Sequence, residues 1–114
     1  MKKTLQEQAN LQLKKWNYLL NCDESKKDLL YKSICVFNSN GTKVANQFVV
    51  EVDMKNKRFL VFSSKNPNGY KKFYLSFNYL KNLGCIDGDE HIIKIVSLQE
   101  KTKNQLIKEF NSCS

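Results

Sequence analysis

The sequence predicts an α+β fold: an antiparallel meander sheet of four to five strands, with N-terminal helices, a short helix near residues 77–83 and a C-terminal helix packed on it. Three observations carry that expectation. Apolar residues recur at helical spacing over residues 5–20, the pattern turns to alternation and β-branched runs from Ser33 to Leu75, and helical spacing returns after Thr102. With 114 residues, one domain over residues 1–114 is expected, because halves would be too small to bury cores of their own.

Thr4 and Glu7 form a capping box at the start of the first helix. Leu5, Ala9, Leu13, Trp16 and Leu20 follow at steps of three and four, which places them on one helical face. A second, short helix is expected with Asp23 as its cap, carrying Leu29, Leu30 and Tyr31 and ending near Lys32. Ile34-Cys35-Val36-Phe37 reads as a strand that enters a turn at Asn38-Ser39-Asn40-Gly41. In the next strand Phe48, Val50 and Val52 alternate with Gln47, Val49, Glu51 and Asp53, so the first three are expected on one apolar side.

Met54 to Lys57 turns the chain, and Arg58 to Ser63 returns it as a third strand. Asn66-Pro67-Asn68-Gly69 is a turn signal, since proline presets one φ and glycine accepts a positive one. Tyr70 to Leu75 is the fourth strand. Ser76 caps a short helix with Phe77, Leu80 and Leu83, closed by Gly84. Ile92, Ile93, Ile95 and Val96 make a fifth strand, and a helix opened by Thr102 turns Leu106, Ile107 and Phe110 inward. The plan covers one face of the sheet.

The chain carries a formal charge of +8, which favours anionic partners such as nucleic acid. Its cations are nearly all lysine, with Arg58 the single arginine, and asparagine is abundant. That bias also follows from AT-rich coding, so part of the charge reports codon usage. Lysine suits phosphate contacts, whereas reading of bases favours the arginine fork.

Little in the sequence recommends catalysis. His91 is the only histidine and follows Asp87, Asp89 and Glu90 in a turn, where an exposed residue without a role is the plainer reading. Those acids resemble the start of a calcium loop, but the position that needs glutamate is Leu98. Gly41, Gly69, Gly84 and Gly88 are isolated turn residues and build no phosphate loop. Cys22, Cys35, Cys85 and Cys113 lie too far apart for a zinc knuckle or a redox pair and are read as free thiols, with Cys35 in the core. No metal or cofactor is expected. No apolar run approaches the ~20 residues of a membrane span, and polar Gln6, Glu7, Gln8 and Asn10 follow the basic opening where a secretory signal would be apolar. A cytoplasmic, non-membrane protein is expected.

The segment with most binding chemistry is Tyr70-Lys71-Lys72-Phe73-Tyr74. With Phe73 and Leu75 turned to the core, period two sends Tyr70, Lys72 and Tyr74 to the outer face, where Arg58, Leu60 and Phe62 join them from the neighbouring strand. Aromatic rings there stack bases while lysines neutralise phosphates, unless a helix covers that face and the rings are core.

The strand-turn-strand run that ends in Tyr74-Leu75-Ser76 and passes straight into a helix resembles, in element order over roughly residues 47–83, the single-stranded-DNA-binding module of the positive cofactor four coactivator family. Leu80-Lys81-Asn82-Leu83-Gly84-Cys85-Ile86-Asp87-Gly88-Asp89 is similar to the helix-turn-strand phrase of AbrB-type transition-state regulators, with Ser76 or Phe77 near the place of their usual proline. Both resemblances imply DNA binding.

The expectation is therefore a small noncatalytic protein that binds nucleic acid, single-stranded in particular, or a nucleoprotein complex. The candidate residues are Arg58, Tyr70, Lys71, Lys72 and Tyr74. The alternative is a phage- or mobile-element-encoded inhibitor that binds a host protein or defence complex by protein-protein contacts; a homodimer is compatible with either.

Overall fold

The computed structural model describes residues 4–38, 40–65, 69–83 and 92–112. Helix α1 (Leu5–Trp16) leads through 3-10 helices at Asn17–Leu20 and Asp23–Leu29 into strands β1 (Lys32–Phe37), β2 (Lys43–Asp53), β3 (Arg58–Lys65) and β4 (Gly69–Ser76). A third 3-10 helix (Phe77–Asn82), strand β5 (Ile92–Ser97) and helix α2 (Glu100–Ser112) complete the order. The strands form one antiparallel sheet in the order β4-β3-β2-β1-β5. The expected α+β meander is present, and β5 crosses back to pair with β1.

The Thr4 hydroxyl accepts the Glu7 N–H at 3.1 Å, which starts α1 as the sequence implies. The expected inward row then fails at its end, where Leu20 is exposed and Leu19 is fully buried. After Trp16 the backbone tightens to three residues per turn, so Leu19 lies directly beneath Trp16. The same period explains the second correction. Asp23–Leu29 is a 3-10 helix preceded by Cys22, not Asp23, at its cap, and it buries Lys26 and Leu29, three apart, while Leu30 stays exposed. Tyr31 adopts φ 63, and its N–H donates to the Val49 carbonyl at 2.8 Å, which delivers the chain to β1. Phe77, Leu80 and Leu83 are likewise three apart and all buried. Ser76 caps that helix by accepting the Asn78 N–H; the expected stop at Gly84 lies outside the described residues.

Both faces of the sheet are covered, contrary to the one-sided plan. Ile34, Val49, Phe59, Val61, Ile93 and Ile95 point to a core completed by Trp16, Leu19, Leu29, Phe77, Leu80 and Leu83. Phe59 lies 4.8 Å from Phe77 between ring centroids. On the opposite face Ser33, Cys35, Phe48 and Phe62 are buried too. There Tyr31 stacks on Phe48, and α2 sets the edge of Phe110 against Phe62, centroids 5.6 Å apart. Leu106, Ile107 and Phe110 of α2 are half-buried, as their spacing predicts, and the helix starts at Glu100, just before the expected Thr102.

The cause of this two-sidedness in β2 is a bulge. Val49 faces Val61 and Glu51 faces Leu60, so Val50 is an extra residue without a partner. Phe48 before it faces Phe62, and Val52 after it faces Phe59, which puts the two valued as one apolar row on opposite faces. Gln47 is buried on the helical side, where it hydrogen-bonds the Tyr79 hydroxyl; burial pushes the Tyr79 pKa up and this bond acts the other way. At the β1–β2 turn Gly41 has φ 79 and donates to the Asn38 carbonyl at 2.9 Å, while the Asn38 side chain accepts from Asn40 and Thr42. Ser39 and the expected turn at 66–68 lie outside the described residues. No described helix is long and apolar enough to cross a membrane.

Candidate nucleic-acid interface

Four residues meet at the corner where β2 turns into β3. Asp53 ends β2 and Arg58 opens β3, directly opposite it. The Asp53 carboxylate accepts the Arg58 Nε–H at 3.1 Å, the Asn56 backbone N–H at 3.1 Å and the Asn56 side-chain amide at 2.9 Å. An aspartate that bonds the backbone of its own turn is a common way to fix a short hairpin. Held there, the Arg58 guanidinium lies 3.7 Å from the centroid of Tyr74. Tyr74 faces Leu60 on β3, so it sits diagonally from Arg58, within reach of a long side chain. Its residue surface is 51% exposed.

The other candidates fall out differently. Lys72 is on the same face opposite Phe62, with its Nζ 4.5 Å from the Phe110 centroid, so part of this face lies under α2. Lys71, grouped with them from sequence, faces Ser63 and belongs to the helical side, as period two requires of a neighbour of Lys72. Tyr70 is in β4 opposite Ser64, and its side chain lies outside the described residues. Phe59 and Val61 do turn inward, and Phe62 is buried beneath Phe110. The open surface is therefore the Arg58–Tyr74 corner, with Lys72 at the border of α2.

A signal in the sequence marks the β3–β4 region that contains this corner. Lys55, Lys57, Arg58, Lys65, Lys71, Lys72 and Lys81 all lie between Met54 and Ile86, and no Asp or Glu does. Among these cations Arg58 pairs with Asp53 and Lys57 with Asp23 at 3.4 Å, both carboxylates lying outside the stretch. The alternation of β2 presents Asp53 only as a polar residue, although an aspartate before a turn is a readable sign of the anchor that it forms with Asn56.

These contacts make the carboxyls acid-sensitive. The two Asn56 donors, then Arg58, hold Asp53 below its usual pKa, with burial acting the other way; Lys26 foremost, then Lys57, do the same for Asp23. A depressed folded pKa adds stability that is complete above the unfolded value, roughly pH 4, and is lost as pH falls through the folded value. The urea midpoint is expected to drop below about pH 4, more shallowly in Asp53→Asn than in the parent. An unchanged acid slope in that variant would remove Asp53 from the linkage.

Among the described residues no group of three or more His, Cys, Asp or Glu could hold a metal ion. Cys22 is exposed and Cys35 buried, both as free thiols. His91, Asp87, Asp89, Glu90, Cys85 and Cys113 lie outside the described residues.

The passage from β4 directly into a helix at Phe77 has the element order of the first resemblance; the second runs into residues 84–89, which are not described. No family model, curated protein or solved structure matches the chain.

Proposed function

We propose that the chain is a noncatalytic, cytoplasmic binding protein that takes single-stranded nucleic acid, free or within a nucleoprotein, on the Arg58–Tyr74 corner of its sheet. The observation that carries this reading is the exposed Tyr74 ring, backed by a guanidinium fixed through Asp53. An exposed ring with a cation behind it offers a base an aromatic partner, and Lys72 of β4 and Lys55 of the 54–57 turn supply charge for phosphates. The corner is too small to select a sequence by its own contacts, so binding is expected to be salt-sensitive and tolerant of sequence.

The test is anisotropy of a labelled oligothymidine at about 50 and 200 mM salt, where each neutralised phosphate steepens the loss of affinity. Tyr74→Ala is expected to weaken binding by about 1–3 kcal/mol, the usual contribution of one stacked base. Lys72→Ala is expected to reduce the salt slope by about one while leaving sequence tolerance unchanged. No binding at the lower salt would end this reading.

A further inference from the structure

The two edges of the sheet are finished differently. In an antiparallel ladder every second residue bonds to the neighbour on one side, and the residues between point their N–H and C=O the other way. The Phe77 N–H donates to the Lys57 carbonyl at 2.9 Å, and this pair continues the register in which Arg58 faces Ser76. That sets the phase: Phe73 and Leu75 bond to β3, while Tyr74 and Ser76 turn their backbone groups outward. Carried across the sheet, the same alternation turns Ile93 and Ile95 outward on β5. There the Gln12 side chain accepts the Ile95 N–H at 2.9 Å, and Leu83 bridges to Ile93. The chain thus closes its β5 edge with its own residues. Among the described residues no strand lies beside β4.

We propose that the outer edge of β4 accepts an extended, acidic polypeptide segment of a partner protein as an additional strand. β4 spans eight residues, more than the usual strand needs for pairing. An added strand bonds through the main chain and reads its partner through alternate side chains. Here those would meet the exposed Tyr74 ring on one side and half-buried Phe73 and Leu75 on the other. Charge selects the occupant. Lys71 and Lys72 are exposed on the strand, Lys55 is exposed in the 54–57 turn, and no carboxylate lies in the sequence from Met54 to Ile86. A second copy would set a chain of charge +8 and the same lysines against each other, and edge lysines oppose such self-pairing. Carboxylates on an incoming strand meet the opposite situation. This inference uses the backbone of the edge, whereas the nucleic-acid reading uses the face; the two share Tyr74 and Lys72 and are told apart by the outward amides.

Amide hydrogen exchange on the full chain tests it, with three probes: a synthetic peptide alternating glutamate and valine, its lysine-valine counterpart, and oligothymidine. In the free chain the Tyr74 and Ser76 amides are expected to exchange faster than those of Phe73 and Leu75. The glutamate-valine peptide is expected to slow Tyr74 and Ser76 on the order of tenfold, and the other two probes to leave them unchanged. Tyr74→Ala keeps the outward N–H, and Tyr74→Pro removes it at a position the β3 ladder does not use. Peptide affinity is expected to fall about tenfold further in the proline variant than in the alanine one, while oligothymidine binding is equal in both. Should the proline variant not fold, the exchange pattern of the parent chain decides. Equal peptide affinity in two folded variants, protection by the lysine peptide or by oligothymidine alone, no protection by any probe, or concentration-dependent protection of Tyr74 in the free chain would each overturn the proposal. The last would mean that a second copy fills the edge.

Discussion

Phe59→Ala is expected to lower the free energy of unfolding by ~3–5 kcal/mol, seen as a large fall in the urea midpoint. Phe59 has no exposed surface, faces Val52 and Leu75 on its two neighbouring strands, and packs on Phe77 from the 3-10 layer. It is thus the joint between the sheet and the helical side. Domains of this size hold only about 5–15 kcal/mol in total, so the variant should be marginal at 37 °C. A loss under about 1 kcal/mol would mean that the site collapses around the missing ring, contrary to the close packing described here.

Phe110→Ala acts on the other face, and its second effect is on binding. Phe110 is half-buried and contacts Phe62 edge to face, so its removal is expected to cost less, roughly 1–3 kcal/mol. The ring also lies beneath the Lys72 ammonium. Without it α2 loosens, and Phe62 becomes available two pairs along the β3–β4 ladder from Tyr74, the next position on the same face. If nucleic acid binds the proposed corner, a second ring beside it should tighten oligothymidine binding about tenfold, within the range of one stacked base. A weaker complex in this variant would place α2 in the binding surface and not over it.

The strands were legible because β-branched and aromatic residues cluster in Ile34–Phe37, Phe48–Val52 and Ile92–Val96, and local alternation is enough to find them. The helices were legible in place but not in kind. Spacings of three and four both suit an α-helix, so Trp16 with Leu19, Lys26 with Leu29, and Phe77 with Leu80 and Leu83 disclosed a 3-10 period only once the backbone was known. Phe48, Val50 and Val52 were misassigned for a different reason. A regular alternation hides an inserted residue, because the partner strand alone decides which valine is left over.

The candidate site divides along the same line. Period two placed Arg58, Lys72 and Tyr74 on one face correctly and separates Lys71 from them, since consecutive residues cannot share a face. What covers a face depends on contacts distant in sequence. Phe110 shields Phe62 and borders Lys72 from a helix that begins far along the chain, and its own pattern says only that it is amphipathic. The match of Asp53 to Arg58 is nearer, yet it too needed the hairpin register to become visible.

The place of β5 has a consequence for how the chain assembles. β1 to β4 are joined in sequence as hairpins and can zip in the order in which a ribosome releases them. The far side of β1 cannot be sealed until residues 92–97 emerge, and Gln12, through which α1 borders β5, precedes its partner Ile95 by 83 residues. Early and late segments therefore complete one another across almost the whole chain, a non-local closure that slows folding. Until β5 emerges and pairs, the outer sides of both β1 and β4 lack a neighbouring strand among the described residues, and β5 then covers the one on β1.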